Sequence, residues 1–215
     1  MKDLIIIGAS GFGREVAWLV ERINEERQKW NILGFLDDDE MLQGTSINGY
    51  KVIGNSDSVK NYSGAYYVCA IGCSKVREKV ISKIKKMNPS IKFATLIDPT
   101  AQLSNLVTMG EGVIICANSI VTVNINIGNF VVINLSCTVG HDTVIKDFVT
   151  MYPSANISGK TEIGNFAELG TGMQIIQGKK IGDHAFIGAG SVVVSDIPDN
   201  CTAVGSPAKI VKHNN

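Results

Sequence analysis

The sequence has no net charge, no long apolar run and few residues suited to binding a metal. Twenty Lys and Arg residues balance twenty Asp and Glu residues, so the charge gives no reason to expect a nucleic acid or an anionic membrane as partner. No apolar stretch approaches membrane-spanning length. The opening MKDLIIIGASG is too quickly broken by glycine to be a signal peptide. The five cysteines lack metal-type spacing, which favours small buried residues in a reducing compartment. A cytoplasmic protein is expected.

A six-residue period dominates the second half of the chain. From Ile97 to Val193 a large aliphatic residue occupies every sixth position without a break. Glycine often follows it, and a small or β-branched residue usually stands four places after it. Neither an α-helix nor an ordinary strand has this period, whereas a parallel β-helix has one strand and one corner per hexapeptide. We expect the aliphatic side chain to point inward and the glycine to let the chain turn.

The first part of the chain has the pattern of a small α/β domain. Apolar runs at Leu4–Ile7, Ile32–Leu36 and Tyr66–Ile71 predict buried parallel strands. Helical spacing of apolar residues predicts helices over Arg14–Glu25 and Lys75–Met87. The sequence therefore predicts a Rossmann-like domain with a small parallel sheet over residues 1–96, and a β-helix domain over residues 97–215. The tail, residues 203–212, is expected to fold back or to cap the helix.

A glycine-rich turn follows the first predicted strand. Its sequence GASGFG places glycines at positions 8, 11 and 13 before a helix, an arrangement that directs backbone N–H groups toward an anion. The spacing differs from the dinucleotide fingerprint, and a tight turn without a ligand is the alternative. Asp37, Asp38 and Gly72 follow the next predicted strands, at the sheet edge where open α/β sheets bind ligands. These features favour a phosphate or nucleotide site.

His141 is the candidate catalytic residue of the β-helix. It stands two places after an inward aliphatic residue, so we expect it near a corner, facing outward, with Asp142 able to fix its tautomer. Gly159 lies 18 residues further on, which with three rungs per coil stacks it next to His141 as a possible oxyanion donor. A histidine merely on the surface is the alternative. No metal site is expected, because His184 and His213 occupy other positions and a catalytic zinc needs about three protein ligands.

Taken together, the motifs resemble bacterial sugar acyltransferases of the NeuD/PglD type along nearly the whole chain. The resemblance is carried by IIIGASGFG, FLDDD and CAIG in the first domain, and by TVGHD, IGNFAELGTG, IGDHAFIGAGSVV and AVGSPAK beyond it. It implies a nucleotide-binding α/β domain followed by a left-handed β-helix, assembled as a homotrimer. It also implies acetyl-CoA as co-substrate and a nucleotide-linked amino sugar or sialic acid as acceptor.

The same resemblance implies roles for individual residues. His141 would be the general base, with Asp142 raising its basicity. The nucleotide-sugar site would contain Ser10, Gly11, Phe12, Asp37, Asp38 and Gly72. Acetyl-CoA would lie in a groove between subunits, near Thr150, Gly159, Thr171 and Ala189. Related enzymes often have histidine at the positions of Thr150 and Phe12, so one CoA contact differs here and the edge of the sugar pocket is more apolar.

The predicted reaction is direct transfer of an acetyl group from acetyl-CoA to the 4-amino group of a nucleotide-linked 4-amino-4,6-dideoxy sugar. O-acetylation of sialic acid or another sugar stays open, because the same base would activate a hydroxyl. A nicotinamide-dependent oxidoreductase fits less well, since the glycine spacing is wrong and the first domain is short. A sugar-nucleotide binding protein without catalysis is the remaining alternative.

Overall fold

The structure is a computed structural model that describes residues 1–213, and the chain divides into two compact units, residues 1–99 and the residues from Thr100 onward. The first unit is an α/β domain whose six-stranded sheet has the order β3-β4-β2-β1-β5-β6. All neighbours are parallel except β3 and β4. Its strands are β1 (Lys2–Ile7), β2 (Trp30–Leu36), β3 (Ser46–Ile47), β4 (Tyr50–Gly54), β5 (Tyr66–Cys69) and β6 (Lys92–Phe93), followed by the short β7 (Leu96–Ile97).

Two helices, α1 (Gly11–Glu26) and α2 (Ser74–Met87), and two 3-10 turns, Glu40–Leu42 and Ser56–Asn61, complete this unit. The apolar residues at the centre of β1 are fully buried, as their continuous run predicts. Gly13 lets α1 approach the sheet closely, because a Cβ there would collide with the carbonyl oxygen of Gly8. Arg22 of α1 pairs with the buried Asp98 at 2.7 and 3.1 Å, which fixes the end of the unit against this helix.

The second unit is a left-handed parallel β-helix, which confirms the predicted fold class. Ile120 pairs with Thr138 and Val121 with Val139, so one coil takes 18 residues. Three sheets form its faces: β8, β11, β14, β17, β20 and β23; β9, β12, β15, β18 and β21; and β10, β13, β16, β19, β22, β24 and β25. The strands are β8 (Gln102–Leu103), β9 (Val107–Met109), β10 (Ile114–Ile115), β11 (Ile120–Val121), β12 (Ile125–Ile127), β13 (Val132–Ile133), β14 (Thr138–Val139), β15 (Val144–Ile145), β16 (Thr150–Met151), β17 (Asn156–Ile157), β18 (Glu162–Ile163), β19 (Glu168–Leu169), β20 (Gln174–Ile175), β21 (Lys180–Ile181), β22 (Phe186–Ile187), β23 (Val192–Val193), β24 (Cys201–Val204) and β25 (Lys209–His213).

The predicted core of the helix is confirmed. The sixth-position aliphatic residues are buried from Ile115 onward, whereas Leu103 and Met109, in the first coil, are half-buried. The tail folds back as expected, since β24 continues one face and β25 returns antiparallel to it. All five cysteines are free thiols, but Cys73 is exposed rather than buried, because it caps α2 at its N-terminus.

One residue in each hexapeptide, three places after the inward aliphatic residue, has left-handed backbone geometry. These residues make the corners, and their φ angles lie between 54° and 74°. They are Gly112, Asn118, Asn124, Phe130, Ser136, Asp142, Phe148, Ser154, Lys160, Phe166, Gly172, Gly178, His184 and Gly190. Most residue types adopt this geometry rarely, so the stacked coils must hold it in place.

The glycines directly after the inward aliphatic residue do not make the turn, so that prediction was wrong. Gly140, Gly164 and Gly170 lie outside the left-handed region of φ. A Cβ on any of them would come within 2.5–2.6 Å of a backbone nitrogen in the next coil. Glycine is therefore needed here for the close stacking of one coil on the next.

Candidate active site

A cavity of about 280 Å³ lies at the carboxyl ends of β1, β2 and β5 in the first unit. Four residues of the predicted nucleotide-sugar site line it: Ser10, Asp37, Asp38 and Gly72. Gly11 and Phe12, also predicted there, begin α1 and are not among the lining residues. Ser10 precedes α1 without capping it through its side chain. The sheet edge thus gathers most of the residues that the sequence singled out.

The two aspartates at this edge hold the loops around the cavity. Asp37 accepts a hydrogen bond from the Ala9 N–H at 2.7 Å, which ties the end of β2 to the glycine-rich turn. Asp38 accepts from both the N–H and the hydroxyl of Ser56, at 2.7 and 3.0 Å. Lys83 of α2 donates in turn to the Ser56 hydroxyl at 2.7 Å. Both carboxylates therefore fix the shape of the cavity as well as facing it.

Sequence reasoning missed the remaining walls. Ser56 follows β4, a strand that was not predicted. Ile71, Val76 and Val80 form an apolar wall, and Val76 and Val80 lie one turn apart on α2. Val76 is 48% exposed, an unusual fraction for an aliphatic side chain beside a cavity. A pair of valines four residues apart on the side of the helix facing the strand ends is the sequence signal that could have indicated this wall.

His141 lies at the corner between β14 and β15 of the second unit, and its imidazole is held by Asp142. Nδ1 of His141 is 2.8 Å from Oδ2 of Asp142, and both side chains are about half exposed, at 48% and 44%. The hydrogen bond with His141, followed by that from Asn124 at 3.2 Å, lowers the pKa of Asp142. An ionised carboxylate carries no proton, so Nδ1 must donate, and Nε2 of the neutral ring is left as the basic nitrogen.

Gly159 stacks on His141 one coil later, as the 18-residue spacing predicts. A Cβ at Gly159 would lie 2.5 Å from Nε2, 2.7 Å from Cε1 and 2.8 Å from Cδ2 of His141. The imidazole thus occupies the space that any other residue would fill with its side chain. Within residues 1–213 the Gly159 N–H has no hydrogen-bond acceptor, although its carbonyl accepts from Gly178 at 3.0 Å. The site therefore combines a basic nitrogen with a free backbone donor.

The corner formed after β12, β15 and β18 satisfies its backbone amides differently. There Asn129, Asp147 and Asn165 each donate an N–H to a side-chain oxygen of the next coil, at 2.7–3.2 Å. The side chains of Phe130, Phe148, Phe166 and His184 stack along this corner with ring centroids 4.6–5.2 Å apart. This corner is closed by its own side chains, whereas the corner of His141 leaves polar groups available for a ligand.

The residues predicted to contact CoA occupy different environments. Thr171 and Ala189 are exposed at the corner after β19 and β22, and therefore not at the corner of His141. Thr150 is only 1% exposed in β16. A single chain does not bring Thr171 and Ala189 together with His141, so their role in CoA binding stays a prediction.

No group of three or more residues suited to holding a metal ion occurs in residues 1–213. No helix in the same range is long and apolar enough to cross a membrane.

Comparison with known proteins places the chain in a family. Residues 3–84 match the family model of the PglD N-terminal domain. The acetyltransferase domain of PglB from Neisseria gonorrhoeae FA1090, solved in complex with acetyl coenzyme A, is 33% identical with a TM-score of 0.89. The match covers 98% of this chain and 99% of that one. The chain belongs to the PglD/NeuD-like sugar acetyltransferase family.

Two further structures resemble this acetyltransferase over nearly its whole length. WeeI from Acinetobacter baumannii AYE is 34% identical, with a TM-score of 0.88 and coverage of 98% of this chain and 100% of that chain. A variant of perosamine N-acetyltransferase from Caulobacter crescentus, in complex with CoA and GDP-perosamine, is 27% identical. Its TM-score is 0.90, and the match covers 99% of this chain and 98% of that chain. No curated protein matches the chain significantly.

Proposed function

We propose that this enzyme acetylates the 4-amino group of a nucleotide-linked 4-amino-4,6-dideoxy sugar. The acetyl donor is acetyl-CoA. The observation that carries the proposal is the pairing of His141 with Asp142 at 2.8 Å beside Gly159. The relative that was solved with GDP-perosamine is a sugar N-acetyltransferase, which supports an amine as the acceptor. The cavity lined by Ser10, Asp37, Asp38 and Gly72 would take the nucleotide. Free thiols throughout the chain support a reducing, cytoplasmic location.

His141 acts as the general base. Its Nε2 accepts a proton from the sugar amine as the amine nitrogen attacks the thioester carbonyl. Asp142 holds the proton-bearing Nδ1 and stabilises the imidazolium that forms, which keeps Nε2 directed at the substrate. When the C–S bond breaks, His141 returns the proton to the departing thiolate. A positioned base of this kind is worth about 10²–10⁴-fold in rate.

The backbone of Gly159 stabilises the developing oxyanion. Its N–H has no acceptor within the described residues and adjoins the imidazole, so it can donate to the carbonyl oxygen as negative charge builds up. One such donor is worth roughly 10²–10³-fold. The reaction passes through a tetrahedral intermediate and needs no acyl-enzyme, because the described residues around His141 include no nucleophilic side chain bonded to it.

Thiol release from acetyl-CoA, measured against a panel of nucleotide-linked 4-amino sugars and free sialic acid, tests the proposal. Turnover on one amino sugar supports N-acetylation and identifies the nucleotide. Turnover on sialic acid alone would replace the proposal with O-acetylation and remove the role given to Asp37 and Asp38. Nucleotide-sugar binding without any turnover would favour a binding protein.

The His141→Ala variant tests the base. We expect turnover to fall at least about a hundredfold, while nucleotide-sugar binding measured by calorimetry is unchanged, because the cavity belongs to another part of the chain. A folded His141→Ala variant with near-normal turnover would rule out this assignment.

A further inference from the structure

The wall of the cavity formed by Ile71 and Gly72 is held by a buried arginine. Arg77 of α2 is 1% exposed and is the largest of the fully buried side chains. Its Nη1 donates to the Ile71 carbonyl at 2.6 Å and to the Gly72 carbonyl at 2.9 Å. Arginine is almost never fully buried without partners for its charge and its donors. The position of this guanidinium therefore depends on the loop that it holds.

This loop has no regular structure of its own. Residues 70–73 connect β5 to α2 without belonging to either, so the carbonyls of Ile71 and Gly72 lie outside the sheet ladder. Both residues line the cavity. The loop also contacts the glycine-rich turn, since a Cβ at Gly8 would lie 3.0 Å from the Ala70 carbonyl oxygen and 3.3 Å from Ile71 Cγ1. A shift of the loop would change the distance between two walls of the cavity.

From this geometry, and resting on the nucleotide-sugar site proposed above, we propose that Arg77 is a positioning residue for the nucleotide-sugar substrate. It does not face the cavity itself. It holds Ile71 and Gly72 at the distance from Ser10, Asp37 and Asp38 that the bound nucleotide requires. Because the cavity lies in the first unit and His141 in the second, Arg77 controls the binding of the nucleotide sugar and leaves the chemical step unchanged.

The test uses Arg77→Met, which keeps the length and apolar stem and removes the donors, and Arg77→Lys, which keeps a charge but not the planar fork. Lys79→Met is the matched control, since Lys79 is exposed on the same helix. We expect Arg77→Met to raise KM for the nucleotide sugar by about tenfold or more, the effect of losing charge-assisted hydrogen bonds to two carbonyls. We expect kcat and KM for acetyl-CoA to stay within about twofold, because a shift of this loop leaves the catalytic base in its place.

Arg77→Lys should recover part of the loss, and Lys79→Met should behave as the wild type. Amide hydrogen exchange in the full-length protein gives a readout that needs no substrate. We expect exchange in residues 70–74 to accelerate in Arg77→Met, with little change in β1 or in the β-helix.

An unchanged KM for the nucleotide sugar in Arg77→Met would overturn the inference. So would a parallel change in kcat and both KM values that follows a loss in Tm, since that is the behaviour of a purely structural residue. If Arg77→Met does not fold, Arg77→Lys decides by the same criteria. If the wild type acetylates no nucleotide sugar, the proposed function fails, and exchange in residues 70–74 still decides whether Arg77 positions the loop.

Discussion

Replacing Gly159 by alanine should separate activity from stability. The new methyl group would lie 2.5–2.8 Å from three atoms of the His141 ring, far inside ordinary contact distance. The ring belongs to a side chain that is about half exposed (48%), so it can swing into solvent at little cost. That movement breaks the 2.8 Å bond to Asp142. A displacement of Nε2 by about 1 Å costs on the order of 10²-fold in rate.

The backbone at Gly159 lies outside the left-handed region, so alanine fits there without strain. Alanine also reduces the entropy of the unfolded chain, which is worth about 0.4–1 kcal/mol when no strain opposes it. We therefore expect Gly159→Ala to lower kcat/KM about a hundredfold. We expect its free energy of unfolding to stay within about 0.5 kcal/mol of the wild type, as for an ordinary surface change.

A double-mutant cycle with His141→Ala identifies the cause. Without the imidazole the methyl group meets none of its three nearest atoms, so Gly159→Ala should be stabilising in that background by about 0.4–1 kcal/mol. Urea unfolding of the four proteins and thiol-release assays give the two readouts. Wild-type activity in Gly159→Ala, or the same stability effect in both backgrounds, would refute the proposed contact between the methyl group and the ring.

Two further predictions concern the orientation of the base and the packing of the first unit. Asp142→Asn keeps a residue that tolerates the φ of 59° but removes the carboxylate; thiol release should fall by about 10²-fold, the low end of a base's contribution. Unchanged turnover would mean that Asp142 does not orient His141. Gly13→Ala should destabilise the protein by about 1–3 kcal/mol in urea unfolding through overpacking, because its Cβ would collide with the Gly8 carbonyl. Gly11→Ala is the control, since its Cβ meets only an arginine side chain, at 3.7 Å. Equal stability of the two variants would contradict this account of Gly13.

The parts of the fold that follow a strict periodicity could be predicted from the sequence. The inward aliphatic residues recur every six positions because each coil must fill the same narrow interior. The same period stacked Gly159 on His141 without any structural knowledge. The corner residues were harder to identify, because Phe130, Phe148 and Phe166 stand where asparagine or glycine would have indicated left-handed geometry.

The hairpin of β3 and β4 was missed although its turn has a sequence signal. Asn48 and Gly49 have φ angles of 49° and 85°, and Asn-Gly between two short apolar segments is a strong hairpin signal. Missing β4 also hid Ser56, which follows it and bonds to Asp38. Most of the cavity was predicted because residues at the ends of parallel strands meet at one edge.

Arg77 could not have been identified in this way. On an amphipathic helix rich in lysine, an arginine is expected to face water. Its burial becomes evident only once the carbonyls of the neighbouring wall are known to lie outside the sheet ladder. Long-range requirements of this kind leave no local pattern in the sequence.

The 18-residue coil limits how this enzyme can change in length. An insertion of 18 residues adds one coil and leaves every later residue at its former corner. An insertion of a single hexapeptide would rotate all later residues by one face, which would carry Gly159 away from His141 if it fell between them. Other lengths would interrupt the core or have to loop out at a corner. Length variation among relatives of this chain should therefore occur in whole coils or as loops that leave the helix at a corner, and alignments that place single-hexapeptide gaps inside the helix should be in error.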